Sequence, residues 1–439
     1  MRFGLFTPLA LLSVSPGNLH IGLIPRAGRI SGADMTAETA GSEPHSPLPI
    51  WLMALGWAPV GLGGAVTLMA TPQILASLGV PGERIAALTA FALAPGFVAF
   101  LFGPLLDWRF RRKSYAIAFY LLGAFGLAMV LLSARNLAAL AFWEFAAQLA
   151  LTVGSSALGG WFSSLVPRRQ AGGLGAWFTV WNLGMGGAAA MAAVPLIRAT
   201  SLETGAVILG VWTAAPILLL LWLPCKAADG RLAQESVKAF AGDVAAILRS
   251  RLVLWTLLIF LSPAASFALV NIMGGLGGAF ATPEQTVSLL LGTGGLVAGI
   301  FGSLAMPLVE RWITPRYLYL WVGLAGAVLT LAAALLPHTP ATFAFAVLAE
   351  NLGQAAGFSV AYAIMLRTIG PDDPLAATQF ALMNSAICLP LTYMQILDAE
   401  GLAQAGVAGG FFTDAAISAS ACLLLLFVFR TFRRTIPPG

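Results

Sequence analysis

Two glutamates pose the chemical question in this chain. Glu144 and Glu350 each lie inside an apolar stretch, and each is followed four residues on by a glutamine, Gln148 and Gln354. A carboxylate among oily helices is costly unless it is paired, hydrated or protonated. Such a group suits a proton carrier or an anchor for a polar solute, and the glutamine one turn on extends the same polar face. The competing reading places each acid near a membrane interface, hydrated or capping a neighbour. Asn182 and Asn271 are further candidates. With Asn351, Tyr362, Gln379, Asn384 and Gln395 they are polar groups inside apolar runs, where interhelical hydrogen bonds of about 0.6 kcal/mol are the usual role. Asn182 stands at helical spacing from Trp177 and Trp181, which fits either a site that stacks a sugar ring or nucleobase, or a tryptophan stripe at an interface. Asp414 reads as an interface cap.

Other chemistry lacks its residues. His20, His45 and His338 fall in a tail or a loop, away from any apolar run. Cys225, Cys388 and Cys422 are far apart and form no CxxC or Cys/His spacing, so neither a zinc site nor a disulfide framework is expected. No P-loop, GxSxG, HExxH or Rossmann fingerprint occurs. No catalytic residue, metal or cofactor is therefore expected. The net charge of +5 comes without a basic face interleaved with aromatics, so no nucleic-acid partner is expected.

The elements that must position these acids are membrane spans. Of the 439 residues, 59% are hydrophobic and 9% charged, against about 25% charged in soluble domains. A helix needs about 20 apolar residues to cross ~30 Å of hydrocarbon. That window gives twelve spans, at 48–70, 85–106, 114–133, 137–160, 173–197, 204–224, 252–275, 285–308, 317–336, 341–366, 376–397 and 408–429. The seventh and eighth are weakest, being rich in Gly and Ser around Gly274 to Phe280. With the amino end placed in the cytoplasm, the cytoplasmic segments from the first span onward hold 17 Lys and Arg, and the outer loops hold Arg84, Arg135 and Arg198. This alternation predicts both ends inside.

Residues 1–47 read as a disordered tail, with Met35 a candidate true start. Residues 225–251 form a charged cytoplasmic linker that reads as an amphipathic helix. It separates a bundle at 48–224 from one at 252–430, with a cytoplasmic tail at 431–439. The halves echo one another. Pro104 and Asp107 correspond to Pro307 and Glu310 at a displacement of 203, and Glu144 and Gln148 to Glu350 and Gln354 at 206. Duplicated six-span halves are an established transporter architecture.

The run Gly103-Pro-Leu-Leu-Asp107-Trp-Arg109-Phe-Arg111-Arg112-Lys113 resembles the loop signature of the major facilitator superfamily. Pro104-Leu-Leu-Asp107, with Ala377-Thr-Gln-Phe-Ala-Leu382, resembles more narrowly the AmpG-like permeases. The resemblance implies an all-α membrane protein of two pseudo-symmetric six-helix bundles, acting as a proton-coupled secondary transporter by alternating access. It implies a small solute such as a muropeptide, a siderophore or an acyl-CoA-like molecule, a monomer in the bilayer, and a bacterial inner membrane. It also implies that Asp107 pairs with Arg111 or a neighbouring helix amino end at an inner gate, with Arg112 and, in the second half, Glu310 taking part. Trp108 and Phe110 depart from the signature, which usually has a basic residue and a glycine there, and this puts the tight turn in question. An exporter of the same fold is the alternative, and a membrane enzyme a more distant one.

Overall fold

The computed structural model describes residues 48–225, 242, 244–247 and 249–431. The expectations for the tail at 1–47, for the linker at 226–241 and for the end at 432–439 fall outside these residues. Among the described residues every regular element is helical. The first six spans are α1 (Ile50–Ser77), α2 (Gly82–Leu106), α3 (Arg112–Leu132), α4 (Leu137–Leu165), α5 (Ala171–Ala199) and α6 (Leu202–Trp222). Then follow α7, continuous only over Arg251–Leu261, α8 (Glu284–Val309), α9 (Pro315–Leu335) and α10 (Pro340–Thr368). The last helical stretch, Ala376–Thr431, breaks at Ala405 and at Gly406 (φ 66°), which divides it into α11 (376–404) and α12 (407–431). Among the described residues, nine helical stretches are long and apolar enough to cross a membrane; with the last one divided at its break, and α7 and α10 added, twelve segments follow the order of the hydropathy windows, α7 being the one that is not a continuous helix. The chain is a multi-pass membrane protein.

The ends of the spans sort the charges. The face on which α2, α4, α6, α8, α10 and α12 end carries Arg109, Arg111, Arg112, Arg168, Arg169, Arg311, Arg316, Arg367 and Arg430. It is called the basic face below. Lys113 ties this face together: its Nζ donates to the carbonyls of Leu221 and Leu223 at 2.8 and 2.7 Å and lies 5.7 Å from the Trp161 ring centre. A cation at the carboxyl end of α6 satisfies carbonyls that the helix leaves open. The loop between α2 and α3 does make a tight turn without a glycine. Arg109 takes the left-handed conformation (φ 72°), one residue before the position where the signature has glycine.

Two spans depart from straight helices. In α1, a π-helical turn at Val66–Ala70 interrupts the α pattern. In α7, where the window gave one helix over 252–275, the α-helix stops at Leu261. It continues as short turns through Phe267, which is left-handed (φ 49°), as far as Phe280. Pro263 removes a donor and bars the next turn. The freed carbonyls are not left bare. Tyr393 Oη donates to Leu261 O at 2.8 Å, Cys422 Sγ to Ala264 O at 3.1 Å, and Gln354 Nε2 to Phe267 O at 3.3 Å. Non-helical backbone survives at membrane depth only with such partners. Glycines make room for the break: a Cβ at Gly326 or Gly353 would overlap the Phe267 ring, and one at Gly323 would overlap Ala264 O.

Candidate functional site

At the basic face the two halves meet at two pseudo-symmetric acids, one hydrogen-bonded across the halves and the other packed against the opposite half. Asp107, just beyond α2, crosses to the amino end of α11. Its Oδ1 accepts from Arg112 Nε at 2.6 Å and from Ala377 N at 3.2 Å. Its Oδ2 accepts from Thr378 N and Thr378 Oγ1, both at 2.7 Å. A carboxylate fits a helix amino end because the first N–H groups there have no intrahelical partner. Arg112 also donates to the carbonyls of Asp373 and Pro374 at 2.8 Å. Glu310, just beyond α8, makes the mirror crossing. It accepts from Arg367 of α10 at 2.7 Å and sits against the first turn of α5, where a Cβ on Gly172 would overlap its carboxylate. Burial pushes the titration of both acids above the usual carboxylate range, and Arg112 with Thr378, or Arg367, pulls it back.

Arg111 does not serve as expected. It is exposed at the start of α3 and forms no ion pair among the described residues, so Arg112 alone answers Asp107. The reason is register: Arg111 is the extended residue ahead of the helix, whereas Arg112 is its first residue. Replacing Gly172 with alanine is expected to unseat Glu310 and cost about 1–3 kcal/mol of thermal stability, as overpacking does; a melting curve of the purified variant reads this out.

Beneath the two clamps lies a plug of aromatic rings from five spans. Trp57 (α1) stacks on Phe178 (α5) at 4.4 Å and meets Tyr362 (α10) at 5.0 Å and Phe380 (α11) at 5.8 Å. Phe162 (α4) lies 6.1 Å from Phe178. All five are buried. Backbones close in around them, since a Cβ at Gly160 would overlap Ala377, and one at Gly175 would press on Ser359 O and Ala363 N. Sequence reading missed the plug, because single aromatic residues on five spans carry no common spacing.

Glu144 and Glu350 are both buried and pair with no cation among the described residues. Glu144 lies seven residues past Leu137, and Glu350 ten past Pro340, about 10 and 15 Å along their helices at 1.5 Å per residue. Each therefore sits below the first turns of its span. The repeat is visible in their neighbours. Gln148 Nε2 donates to Thr67 Oγ1 of α1 at 2.7 Å, and Gln354 reaches the corresponding span of its own half, α7, at Phe267 O. Thr67 belongs to the π turn of α1, a distortion often retained at functional sites. Thr71, one turn further on, places its hydroxyl beside Glu144. Glu350 accepts from Thr330 Oγ1 of α9. Both acids thus face spans of their own half.

The remaining candidates part company. Asn351, half-buried, donates to Val347 O at 2.8 Å and lies against Gly295 of α8. Asn182 closes α5 onto Gly61 of α1 through its backbone. The Trp181 indole donates to Trp51 O at 2.7 Å, which binds α5 to the start of α1 and takes that ring away from a stacking site near Asn182. Asn271 ends a short turn of α7. Asp414 lies near the start of α12 and is buried among its neighbours. An open, apolar cavity of about 470 Å³ lies between α1, α5 and α6, lined by Leu55, Met185, Trp212 and Trp222 among others, and none of the candidate polar residues lines it.

A family model for the major facilitator superfamily matches residues 53–390. The chain belongs to the major facilitator superfamily. This facilitator is accordingly a transporter and not an enzyme. Its fold is similar to that of a bacterial homologue of the iron transporter ferroportin in an outward-facing state, at 18% identity over 88% of this chain and 100% of that one (TM-score 0.61). It is similar to the superfamily transporter FucP in the outward conformation, at 14% identity over 88% and 99% of the two chains (TM-score 0.66). It also resembles the human organic anion transporter MFSD10, at 16% identity over 86% and 98% (TM-score 0.63). No curated protein matches the chain.

Proposed function

We propose that this facilitator couples proton movement to uptake of a polar solute across a bacterial inner membrane, by alternating access. The observation that carries the reading is the burial of Glu144 and Glu350 inside spans, away from any cation. Burial without a counter-charge is tolerated where a carboxylate exchanges a proton. The basic face is the cytoplasmic one, because Lys and Arg collect on that side, and both termini lie there. The Asp107 and Glu310 clamps and the aromatic plug then form a closed inner gate. Breaking and remaking them is the gating step, with Arg112 and Arg367 as counter-ions. Gln148 and Gln354 hold the discontinuous spans α1 and α7 against the acids; Asn182 packs on α1 at Gly61, and Asn271 lies in α7 itself.

The AmpG-like motifs favour a muropeptide, a siderophore or an acyl-CoA-like solute, carried by a monomer. A thermal-shift screen of the purified protein against these three classes identifies the ligand, since binding to the folded state raises the melting temperature. With that ligand in proteoliposomes, Glu350→Gln is expected to reduce accumulation driven by a pH gradient to the background leak, while exchange at equal concentrations persists. Accumulation at the wild-type level in the variant would refute the proton-carrier role.

A further inference from the structure

Glu350 does not stand alone. Asp398 on α11 lies seven residues before the bend at Ala405 and Gly406, and Asp414 on α12 eight residues after it, about 10 and 12 Å along their helices; Glu350 stands about 15 Å from the start of α10 on the same side, and the three act on one another electrostatically. The three carboxyls are buried: 2% of Glu350, none of Asp398 and 3% of Asp414 is exposed. Both oxygens of Asp398, Oδ1 of Asp414 and Oε2 of Glu350 have no hydrogen-bond partner. The bend at Ala405 and Gly406 brings α11 and α12 together tightly, with Gly410 against Asp398 O and Gly409 against Gly401.

Among the described residues, none of the three carboxyls has a cation as its ion-pair partner. Between residues 252 and 429 the sequence has no lysine and only Arg311, Arg316 and Arg367, all at the basic ends of their spans. Arg367 lies 17 residues from Glu350 on the same helix, about 25 Å away, and is bound to Glu310. The other groups around the cluster are uncharged donors or lie at its rim. Thr330 faces it from α9, while Tyr393 and Cys422 donate to α7. Glu400 is exposed and bound by Gln404, and His338 rests on Phe280 at the exposed rim. Three buried like charges without a counter-ion would repel one another and forfeit their hydration. No group of three acidic, His or Cys side chains among the described residues is arranged to hold a metal ion.

We propose that Glu350, Asp398 and Asp414 form a proton-binding cluster in the second half, loaded from the face opposite the basic one. Water on that face delivers each proton, which bonds to a carboxylate oxygen and returns to water on release. The repeat marks the cluster as a specialisation of one half. At the displacement of 206 that relates Glu144 to Glu350, the residues corresponding to Thr330, Asp398 and Asp414 are Ala124, Ala192 and Ile208. The cluster's use in coupling rests on the proton-coupled reading above, whereas its holding of protons does not.

The test is infrared difference spectroscopy of the full chain in lipid nanodiscs, stepped between about pH 5 and 9, a range well above the ordinary carboxylate titration. A carbonyl band of buried carboxylic acid is expected. It should lose one component in each of Asp398→Asn, Asp414→Asn and Glu350→Gln. Wild-type protein carrying carbon-13 at the aspartate side-chain carboxyl should show part of the band shifted, which reads the cluster without any substitution. Asp107 is set apart by its ion pair with Arg112, which the three variants leave intact. No such band, or a band indifferent to both the label and the aspartate variants, overturns the cluster. A band that behaves as expected in a protein without gradient-driven accumulation would leave the cluster standing and sink the proton-coupled reading instead.

Discussion

Replacing Asp107 with alanine should open the basic face. The substitution strands the Arg112 guanidinium, two amide N–H groups of α11 and the Thr378 hydroxyl, all of which Asp107 now satisfies. Removing one partner of a buried ion pair costs about 3–5 kcal/mol. Water reaches these groups if the gate opens, so the cost falls on the closed state. At about 1.4 kcal/mol per factor of ten, the equilibrium should move toward the open form by about 100-fold to 4,000-fold. Spin labels at the exposed positions Arg168 and Asp372, one in each half, would report the change as a longer distance on the basic face. An unchanged distance distribution would show that the aromatic plug alone holds the gate. Arg112→Ala should behave alike, and Arg111→Ala should do nothing, because Arg111 is exposed and forms no ion pair among the described residues.

Gly323→Ala should be the most damaging single methyl in the protein. Its Cβ would coincide with the Ala264 carbonyl, which accepts from Cys422, and would crowd Cys422 Sγ as well. That carbonyl cannot swing aside without breaking the turn of α7. Overpacking of this kind costs about 1–3 kcal/mol and more where backbone must move. The control is Gly278→Ala or Gly292→Ala, where a Cβ meets open space; these should stay within about 0.5 kcal/mol of wild type. Melting temperature and yield of monodisperse protein separate the two outcomes. If Gly323→Ala were as stable as the controls, the break in α7 would be a soft feature rather than a built one.

How much of this was legible in the sequence follows from what each feature depends on. The spans were readable because lipid imposes a length and a composition on every helix. The two clamps were half readable. Asp107 and Glu310 stand out by charge and by the repeat, but the choice of Arg112 over Arg111 depends on which residue begins α3. Glu144 and Glu350 were conspicuous because an acid in an apolar run is rare. Asp398 and Asp414 were not, because each lies near the end of its own span and only the bend at Ala405 and Gly406 makes them neighbours. The break in α7 announced itself only as a weak, glycine-rich span. Its meaning lies in Tyr393, Cys422 and Gln354, which come from three other helices.

Those three donors have a mechanical consequence. Each grips a carbonyl at the break of α7, and each belongs to a different helix of the second half. The break in α7 is therefore fastened to α10, α11 and α12, while the portion from Arg251 to Leu261 is an ordinary helix that meets α10 through Thr256 and Thr368 and α11 at its last carbonyl. A torque on the near portion is not passed on along a continuous rod. It meets a joint whose carbonyls are held by α10, α11 and α12, the same helices that carry Glu350, Asp398 and Asp414.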